Sequence, residues 1–207
     1  MNVLIVYAHP EPGSFSGAMK DTAVAALTGA GHRVEVSDLY AMGFDPVLRP
    51  QQFVSRADAD HFHTLREQLH ASQAGSHPPD VAAEHEKLLR ADLVVFQFPL
   101  WWGSMPAIMK GWIDRVFSLG TVYGRNVDAL KGRKVLLAVT ASGGDSPGEN
   151  LAYMAGQLHH VTSNMLALPG FDILEPCYVF GAGGMTAEER ALKLQEYRER
   201  LVAVAGM

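Results

Sequence analysis

Residues 2–8 read NVLIVYA and residues 93–98 read LVVFQF, and these two runs decide the fold class. Runs that are apolar at nearly every position are typical of strands buried on both faces of a sheet. Residues 33–39, RVEVSDL, alternate instead, as expected of a strand at the edge of a sheet. We therefore predict a parallel sheet in which the first and third strands lie near the middle.

Two more apolar runs, at residues 134–140 and 172–180, bring the number of predicted strands to five, and amphipathic stretches follow most of them. This alternation predicts an α/β fold, a five-stranded parallel sheet with helices on both faces. The clearest helix covers residues 188–204, which follow a capping box formed by Thr186 and Glu189.

The length of 207 residues suits one α/β domain, so residues 1–207 are interpreted as a single domain. A long insertion occupies about residues 40–80, which exceeds an ordinary connection between elements. It is expected to form either a functional lid or an additional helical arm.

Composition excludes several classes of function. The formal net charge of -5 gives no electrostatic reason to expect a nucleic-acid partner. No apolar segment approaches the length of about 20 residues that a spanning helix needs, so membrane insertion is not expected. Without a signal-like leader, and with Cys177 as the single cysteine, the sequence indicates a cytoplasmic protein. Cys177 is interpreted as a small buried side chain rather than a catalytic thiol. The clustered histidines lack zinc-ligand spacing, so no metal is predicted.

Ligands of doubly wound sheets bind at the carboxyl ends of the strands, where the strand order reverses. The first such loop, residues 9–17, reads HPEPGSFSG and delivers hydroxyl groups to the start of a helix near Phe15. Hydroxyls and free N–H groups at a helix N-terminus can bind a phosphate or pyrophosphate. Two alternatives stay open: Ser14 is only an N-cap, and His9 only satisfies a loop carbonyl.

The loop after the third strand, residues 97–107, reads QFPLWWGSMPA. Two adjacent tryptophans at this edge indicate cover for a planar ligand or a partner, with core packing as the alternative. The loop after the fourth strand, residues 140–145, reads TASGGD, where paired glycines allow close backbone approach to a ligand. The N–H groups of this loop are suited to stabilising negative charge on a reduced ring.

Competing motifs are missing or broken. The dinucleotide-binding pattern G-x-G-x-x-G does not follow the first strand, and the glycine cluster at residues 181–184 breaks that pattern at Thr186. There is no Walker A sequence, and Phe15 stands where a nucleophile elbow needs serine.

Taken together, these segments resemble the NAD(P)H:quinone oxidoreductase family, also called DT-diaphorase-like, within the flavodoxin-like fold. The resemblance runs from Val3 to about Leu201 and is most specific over residues 91–100 and 106–117. It implies an NAD(P)H dehydrogenase (quinone), a homodimer with FAD at each interface. Hydride would pass from NADH or NADPH through FAD to a quinone or a similar acceptor, by a ping-pong mechanism.

The resemblance also assigns roles by position. The residues that would hold the FAD pyrophosphate and ribityl chain are His9, Ser14, Phe15 and Ser16. Those that would cover the isoalloxazine are Pro99, Leu100, Trp101 and Trp102, and those along its polar edge are Thr140, Ala141, Ser142 and Gly143. Asp114 and Arg190 match positions near the adenosine half, although both could be solvated helix charges. Tyr123 matches an aromatic residue that lines the acceptor pocket from the other subunit. Trp102, Tyr123 and Gly143 are therefore the candidate catalytic residues.

The sequence departs from the animal members of this family. The Tyr and His that follow their glycine pair have no equivalent in the loop at residues 146–151, so backbone N–H groups near Ser142 and Gly143 are expected to take over their task. Their large carboxy-terminal extension is also missing, and we expect a more open pocket.

Alternatives from other classes remain. The protein is read as a quinone reductase or a nitro/azo reductase, as a flavodoxin-like electron carrier, or as a regulatory subunit that docks on a potassium-efflux transporter. The aromatic loop favours the enzyme. FMN is the runner-up to FAD. Clustering of Trp112, Phe117 and Tyr123 after the aromatic loop predicts the dimer interface.

Overall fold

The computed structural model describes residues 1–142, 152–153 and 155–206. Its strands are β1 (Asn2–Tyr7), β2 (Arg33–Asp38), β3 (Leu93–Pro99), β4 (Lys134–Ala141), β5 (Asp172–Ile173) and β6 (Cys177–Phe180). They are ordered β2-β1-β3-β4-β5, β6 also pairs with β4, and every pairing is parallel. This is the flavodoxin-like strand order, and the predicted fold class is confirmed.

Burial within the sheet follows the hydrophobic pattern of the sequence. Every residue of β3 is buried, and so is every residue of β1 after Asn2. In β2 only Ser37 is buried, and the strand lies at the edge of the sheet. The alternating pattern therefore identified an edge strand correctly, and the continuous apolar runs identified the central ones.

The predicted fifth strand, residues 172–180, is interrupted. Lys134 pairs with Asp172 and Ala138 pairs with Cys177, so residues 174–176 lie opposite only two residues of β4. An extra residue of this kind is a bulge, and Pro176 within it has no N–H to donate to the ladder. The sequence run therefore forms two short strands, β5 and β6, beside the same neighbour.

The helices are α1 (Phe15–Gly29), α2 (Thr64–Ala74), α3 (Pro79–Arg90), α4 (Ala107–Val116) and α5 (Ala187–Gly206), with a 3-10 turn at Pro50–Gln52 and a π-helical segment at Val161–Leu166. The predicted capping box begins α5. The Thr186 N–H donates to Glu189 Oε2 at 2.7 Å, and the Glu189 N–H donates to Thr186 Oγ1 at 3.2 Å. These two bonds satisfy N–H groups that have no partner within the helix.

A core lies on each face of the sheet. On one face, Met19 of α1 and Leu201 of α5 pack with Ile5 of β1. On the other face, Trp112 of α4 packs with Phe96 of β3, their ring centroids 5.7 Å apart and nearly perpendicular. Helices therefore cover both faces of the sheet.

The insertion contains α2 and is a helical arm packed on α4. Gln68 Nε2 of α2 donates to the Asp114 carbonyl at 3.1 Å. The buried Glu67 carboxylate accepts from Arg56 Nε at 2.9 Å and from the Ala57 N–H at 2.7 Å. Burial alone would raise the pKa of Glu67, but these hydrogen bonds and the Arg56 charge outweigh burial and lower it. Glu67 therefore pins the loop that precedes α2.

Candidate functional site

A cavity of about 380 Å³ lies where the loops after β1, β3 and β4 meet. This is the edge at which the strand order reverses. Most of the predicted cofactor residues line it. The residues around it are His9, Gly13, Ser14, Phe15, Ser16, Pro99, Leu100, Trp101, Thr140, Ala141, Ser142, Ala182, Gly183 and Arg190.

The N-terminus of α1 forms one wall of this cavity. Ser14 is the N-cap, and its Oγ accepts the Gly17 N–H at 3.0 Å, so the capping alternative for Ser14 is observed. Ser16 Oγ is buried and has no hydrogen-bond partner among the described residues. A buried hydroxyl without a partner is costly, and here it stands at the positive end of a helix dipole. This wall is suited to an anionic group such as a phosphate.

His9 lies beside this wall, and its Nδ1 contacts the backbone of Glu11. Nδ1 lies 3.0 Å from the Glu11 nitrogen and 3.0 Å from the Glu11 carbonyl oxygen. An unprotonated Nδ1 accepts from the amide, and a protonated Nδ1 donates to the carbonyl. The contact with the Glu11 carbonyl agrees with the alternative that His9 satisfies a loop carbonyl, and Nε2 is not engaged in this contact. The proposed role of His9 at a phosphate stays a prediction.

The opposite wall is apolar and is fixed by the loop after β3. The Leu100 N–H donates to the Thr140 carbonyl at 2.7 Å, which ties this loop to the end of β4. Trp101 lines the cavity, and its ring centroid lies 6.3 Å from that of His9. Pro99 and Leu100 complete this apolar wall.

The two tryptophans have different positions. The Trp101 N–H donates to the Ser104 carbonyl at 2.9 Å and the Ser104 N–H returns a bond at 3.0 Å, which closes a tight turn. Trp102 and Gly103 occupy its centre with φ of 51° and 71°, an unusual conformation for a tryptophan. The Trp102 side chain is fully exposed (104%) and does not line the cavity. Within this chain only Trp101 of the two lines the cavity, and the role of Trp102 in covering a ligand ring stays a prediction.

Helix α5 closes the cavity beside α1. Arg190 Nη1 donates to the Ala182 carbonyl at 3.0 Å, and its guanidinium lies 5.0 Å from the centre of the Phe15 ring. Gly13, Ala182 and Gly183 also line the cavity and were not predicted to do so. The glycine cluster at residues 181–184 could have indicated Ala182 and Gly183, but it was considered only as a possible dinucleotide-binding motif.

A second cavity, of about 510 Å³, is lined by two of the remaining predicted residues. Tyr123 and Asp114 both line it, together with residues of α2 and of the segment at 165–169. Burial raises the pKa of Tyr123, and Lys110 Nζ pairs with Asp114 Oδ1 at 2.6 Å. Within one chain, therefore, neither residue joins the cavity at the carboxyl edge of the sheet.

Two residues offered as interface aromatics are core residues instead. Trp112 is fully buried and its Nε1 donates to Glu84 Oε2 at 2.8 Å, and Phe117 is 8% exposed. The argument that these two rings leave apolar surface uncovered was wrong, because the inner face of α4 packs them against Phe96. Gly143 lies outside the described residues, so its predicted role stays a prediction.

Neither a metal cluster nor a membrane-spanning helix is found in the described part of the chain. Across residues 1–142, 152–153 and 155–206, no three His, Cys, Asp or Glu side chains are grouped in a way that suits a metal ion. Among the helices formed by those residues, none combines the length and the apolar character needed to cross a membrane.

Comparisons with known proteins give a consistent result. A family model described as flavodoxin-like fold matches residues 1–203. NAD(P)H dehydrogenase [quinone] 1 of Rattus norvegicus is 38% identical over 210 residues, which cover 97% of this chain and 76% of the relative. A crystal structure of a Klebsiella pneumoniae protein described as a candidate quinone reductase superposes with a TM-score of 0.90 at 37% identity, covering 99% of this chain and 85% of that one.

A shorter match concerns a different kind of protein. The glutathione-regulated potassium-efflux system ancillary protein KefF of Enterobacter sp. (strain 638) is 57% identical over 67 residues. These residues cover 32% of this chain and 38% of the relative.

Proposed function

The chain belongs to the NAD(P)H dehydrogenase (quinone) family of flavodoxin-like oxidoreductases, and on this premise we propose that it is a flavin-dependent NAD(P)H:quinone oxidoreductase. We propose FAD as its cofactor, a quinone or a similar small molecule as its acceptor, and the cytoplasm as its location. Because the cofactor carries out the redox chemistry, the protein has to bind and orient the cofactor and its substrates and to stabilise charge on the reduced ring.

The observation that carries this proposal is the cavity at the carboxyl edge of the sheet. One wall offers the N-terminus of α1 and the Ser16 hydroxyl, which has no partner in the described part of the chain, and the other is the apolar surface of Pro99, Leu100 and Trp101. A phosphate-bearing molecule with a flat aromatic ring system has complementary chemistry at its two ends. The residues present therefore fit a flavin nucleotide.

The proposed roles of the residues follow from these walls. When bound, the flavin supplies two-electron hydride chemistry between a nicotinamide and a quinone. Ser14, Ser16, His9 and the N–H groups of α1 would hold its phosphate groups. Pro99, Leu100 and Trp101 would orient its ring, and the Thr140–Ser142 backbone would donate hydrogen bonds to the polar edge of that ring. Arg190 would add positive charge beside the phosphates.

We propose that the protein is a homodimer and that it binds FAD rather than FMN. Both proposals are based on the residues that line the second cavity. Asp114 and Tyr123 lie there, away from the first cavity, although both match residues expected near the cofactor or the acceptor. If a second copy brings its second cavity against the first cavity of this chain, Tyr123 of the partner subunit can line the acceptor pocket. The exposed Trp102 ring would then gain cover, in keeping with the rarity of fully exposed tryptophan.

The composite site is tested with Tyr123→Ala. This change should raise the KM for a benzoquinone several-fold and leave the flavin content unchanged, because Tyr123 would contact the acceptor and not the phosphates. Tyr40→Phe, at an exposed tyrosine outside both cavities, is the control. A sedimentation experiment at micromolar concentration should give a dimer, and a monomer would contradict the composite site.

The kinetic mechanism is tested by steady-state rates. We propose that the nicotinamide leaves before the quinone enters the same face of the ring, so that both substrates share Trp101 and the polar edge in turn. Double-reciprocal plots at several fixed quinone concentrations should be parallel, for NADH and for NADPH. Intersecting lines would contradict this order.

The cofactor itself is tested by denaturing the purified protein and identifying the released flavin by chromatography. FAD at one equivalent per chain is expected. Stoichiometric FMN would remove the FAD proposal, and a colourless protein that cannot be reconstituted would remove the flavoprotein proposal.

A second candidate function rests on the KefF match. That protein is an ancillary protein of a potassium-efflux system, and 67 residues of this chain are 57% identical to it. A regulatory role on a transporter would be supported by co-purification of this chain with a membrane transporter from its own cells. The nitro- and azoreductase alternatives are distinguished by comparing kcat/KM for quinone, nitro and azo acceptors.

A further inference from the structure

Two buried polar side chains, those of Gln97 and Tyr197, lie beneath the first turn of α1. Gln97 is the only residue of β3 with a polar side chain, and it is fully buried at the carboxyl end of this central strand. Its Nε2 donates to the Ser16 carbonyl at 2.6 Å, and its Oε1 accepts from the Tyr197 hydroxyl at 3.1 Å. Gln97 belongs to β3, Ser16 to α1 and Tyr197 to α5, so these two hydrogen bonds join three elements.

The Ser16 carbonyl and Tyr197 hold the Gln97 amide in one orientation. The carbonyl can only accept, so Nε2 must face Ser16, and Oε1 then faces Tyr197 and accepts from its hydroxyl. Burial raises the pKa of Tyr197, and the hydroxyl therefore stays protonated and remains a donor. Without this hydroxyl, Oε1 would lose its donor at a buried position, and the amide would be held less firmly against Ser16.

The arrangement is not needed for the helix itself. A carbonyl in the first turn of a helix already accepts from the amide four residues further on. Burying an amide in an apolar layer is also costly, and residues such as methionine would fill this space without that cost. The polar pair is therefore better explained by what it does to Ser16.

Ser16 lines the first cavity and its hydroxyl is buried without a partner among the described residues. The Gln97 amide donates a hydrogen bond to the carbonyl of this same residue. Arg190 lies seven residues before Tyr197, two turns along the same face of α5, and its guanidinium covers the adjacent Phe15 ring. The start of α1 is thus contacted by Gln97 of β3, which Tyr197 of α5 holds, and by Arg190 of the same face of α5.

We propose that Gln97, held in place by Tyr197, is a positioning residue that sets the Ser16 hydroxyl for the phosphate groups of the flavin. This inference rests on the proposed function, because it requires a flavin nucleotide in the first cavity. It assigns α5, the last helix of the chain, a role in cofactor affinity through a contact 100 residues apart in sequence.

The test measures FAD affinity of the apoprotein by fluorescence titration, and not turnover. Gln97→Met removes the amide with little change in volume, and Tyr197→Phe removes one oxygen atom. Each should weaken FAD binding about ten-fold, the change expected for one lost hydrogen bond. The double variant should be no weaker than Gln97→Met alone, because Tyr197 acts only through the amide. Tyr178→Phe removes a hydroxyl that takes no part in the hydrogen bonds of Gln97, and it is the matched control.

A third change separates positioning from a general structural effect. In a Ser16→Ala background the positioned hydroxyl is gone, so Gln97→Met and Tyr197→Phe should weaken FAD binding further by less than about two-fold. Urea unfolding of each apoprotein measures the structural contribution separately. If Gln97→Met does not fold, Tyr197→Phe alone decides the outcome.

Two results would overturn the inference by itself: variants that bind FAD as tightly as the wild type, or losses that persist in full in the Ser16→Ala background. A wild-type apoprotein that binds no flavin would overturn both this inference and the proposed function, so the two failures are distinguishable.

Discussion

Replacing His77 should change how the stability of this protein depends on pH. His77 Nε2 lies 2.8 Å from Thr121 Oγ1 and 3.1 Å from Ser72 Oγ, and its ring meets the ring of the buried His85 edge-on at 4.6 Å. Burial, and secondarily the neighbouring His85, lower the pKa of His77 from 6.5 to about 4. The native protein therefore keeps this imidazole neutral at pH values where the unfolded chain protonates it.

The sign and size of the effect follow from these two pKa values. As the pH falls below 6.5 the unfolded state takes up the proton first, so the free energy of unfolding decreases until the pH reaches about 4. The contribution is fully present above pH 6.5 and is lost across that window. The gap of about 2.5 between the pKa values sets an upper bound of about 3 kcal/mol, and solvent screening of the half-buried ring makes the effect smaller.

The assay is urea unfolding of the wild type and of His77→Gln between pH 7 and pH 4. Glutamine keeps a polar partner for Thr121 and Ser72 but does not titrate, so the variant should lose less stability across this range. His61→Gln, at an exposed histidine, is the control and should follow the wild type. Carboxylates with lowered pKa values, such as Glu67, contribute equally to both proteins. Equal slopes for the wild type and His77→Gln would refute the reasoning.

Two glycines give further predictions. A Cβ at Gly111 would lie 2.2 Å from the Pro46 carbonyl oxygen. Gly111→Ala should therefore lower the free energy of unfolding by about 1–3 kcal/mol, although alanine normally favours a helix. Urea unfolding measures this change, and an unchanged or higher stability would contradict the close packing. A Cβ at Gly17 would lie 2.1 Å from the Pro12 carbonyl oxygen, so Gly17→Ala should displace the loop before α1 and weaken FAD binding about ten-fold. Gly29→Ala in the last turn of the same helix, where a Cβ meets no atom within 4 Å, should leave binding unchanged. Equal binding by Gly17→Ala and Gly29→Ala would argue against a role for this loop.

Features that depend on local pattern could be read from the sequence. Apolar runs located β1 and β3 in the centre and the alternation of residues 33–39 located β2 at the edge, because burial of a strand is written in its own side chains. The Thr186 and Glu189 box predicted the start of α5 because its two hydrogen bonds span three residues. The loops at the carboxyl edge located the first cavity, since strand order determines where such loops meet.

Features that depend on distant contacts could not be read in this way. The run at residues 172–180 looks like one strand, but its bulge depends on the register against β4. Trp101 and Trp102 share one motif, yet a turn with positive φ at Trp102 sends the two rings apart. Trp112 and Phe117 were assigned to an interface because their spacing does not reveal that Phe96 packs against both. The bond between Tyr197 and Gln97 joins residues 100 positions apart and leaves no local signal.

The most direct test of the central claim is an anaerobic titration of the purified holoprotein. We expect NADH or NADPH to bleach the visible absorption band of a bound flavin, and one equivalent of a benzoquinone, added next, to restore it. A protein with no flavin band would contradict the account, and so would a band that the nicotinamide bleaches and the quinone fails to restore.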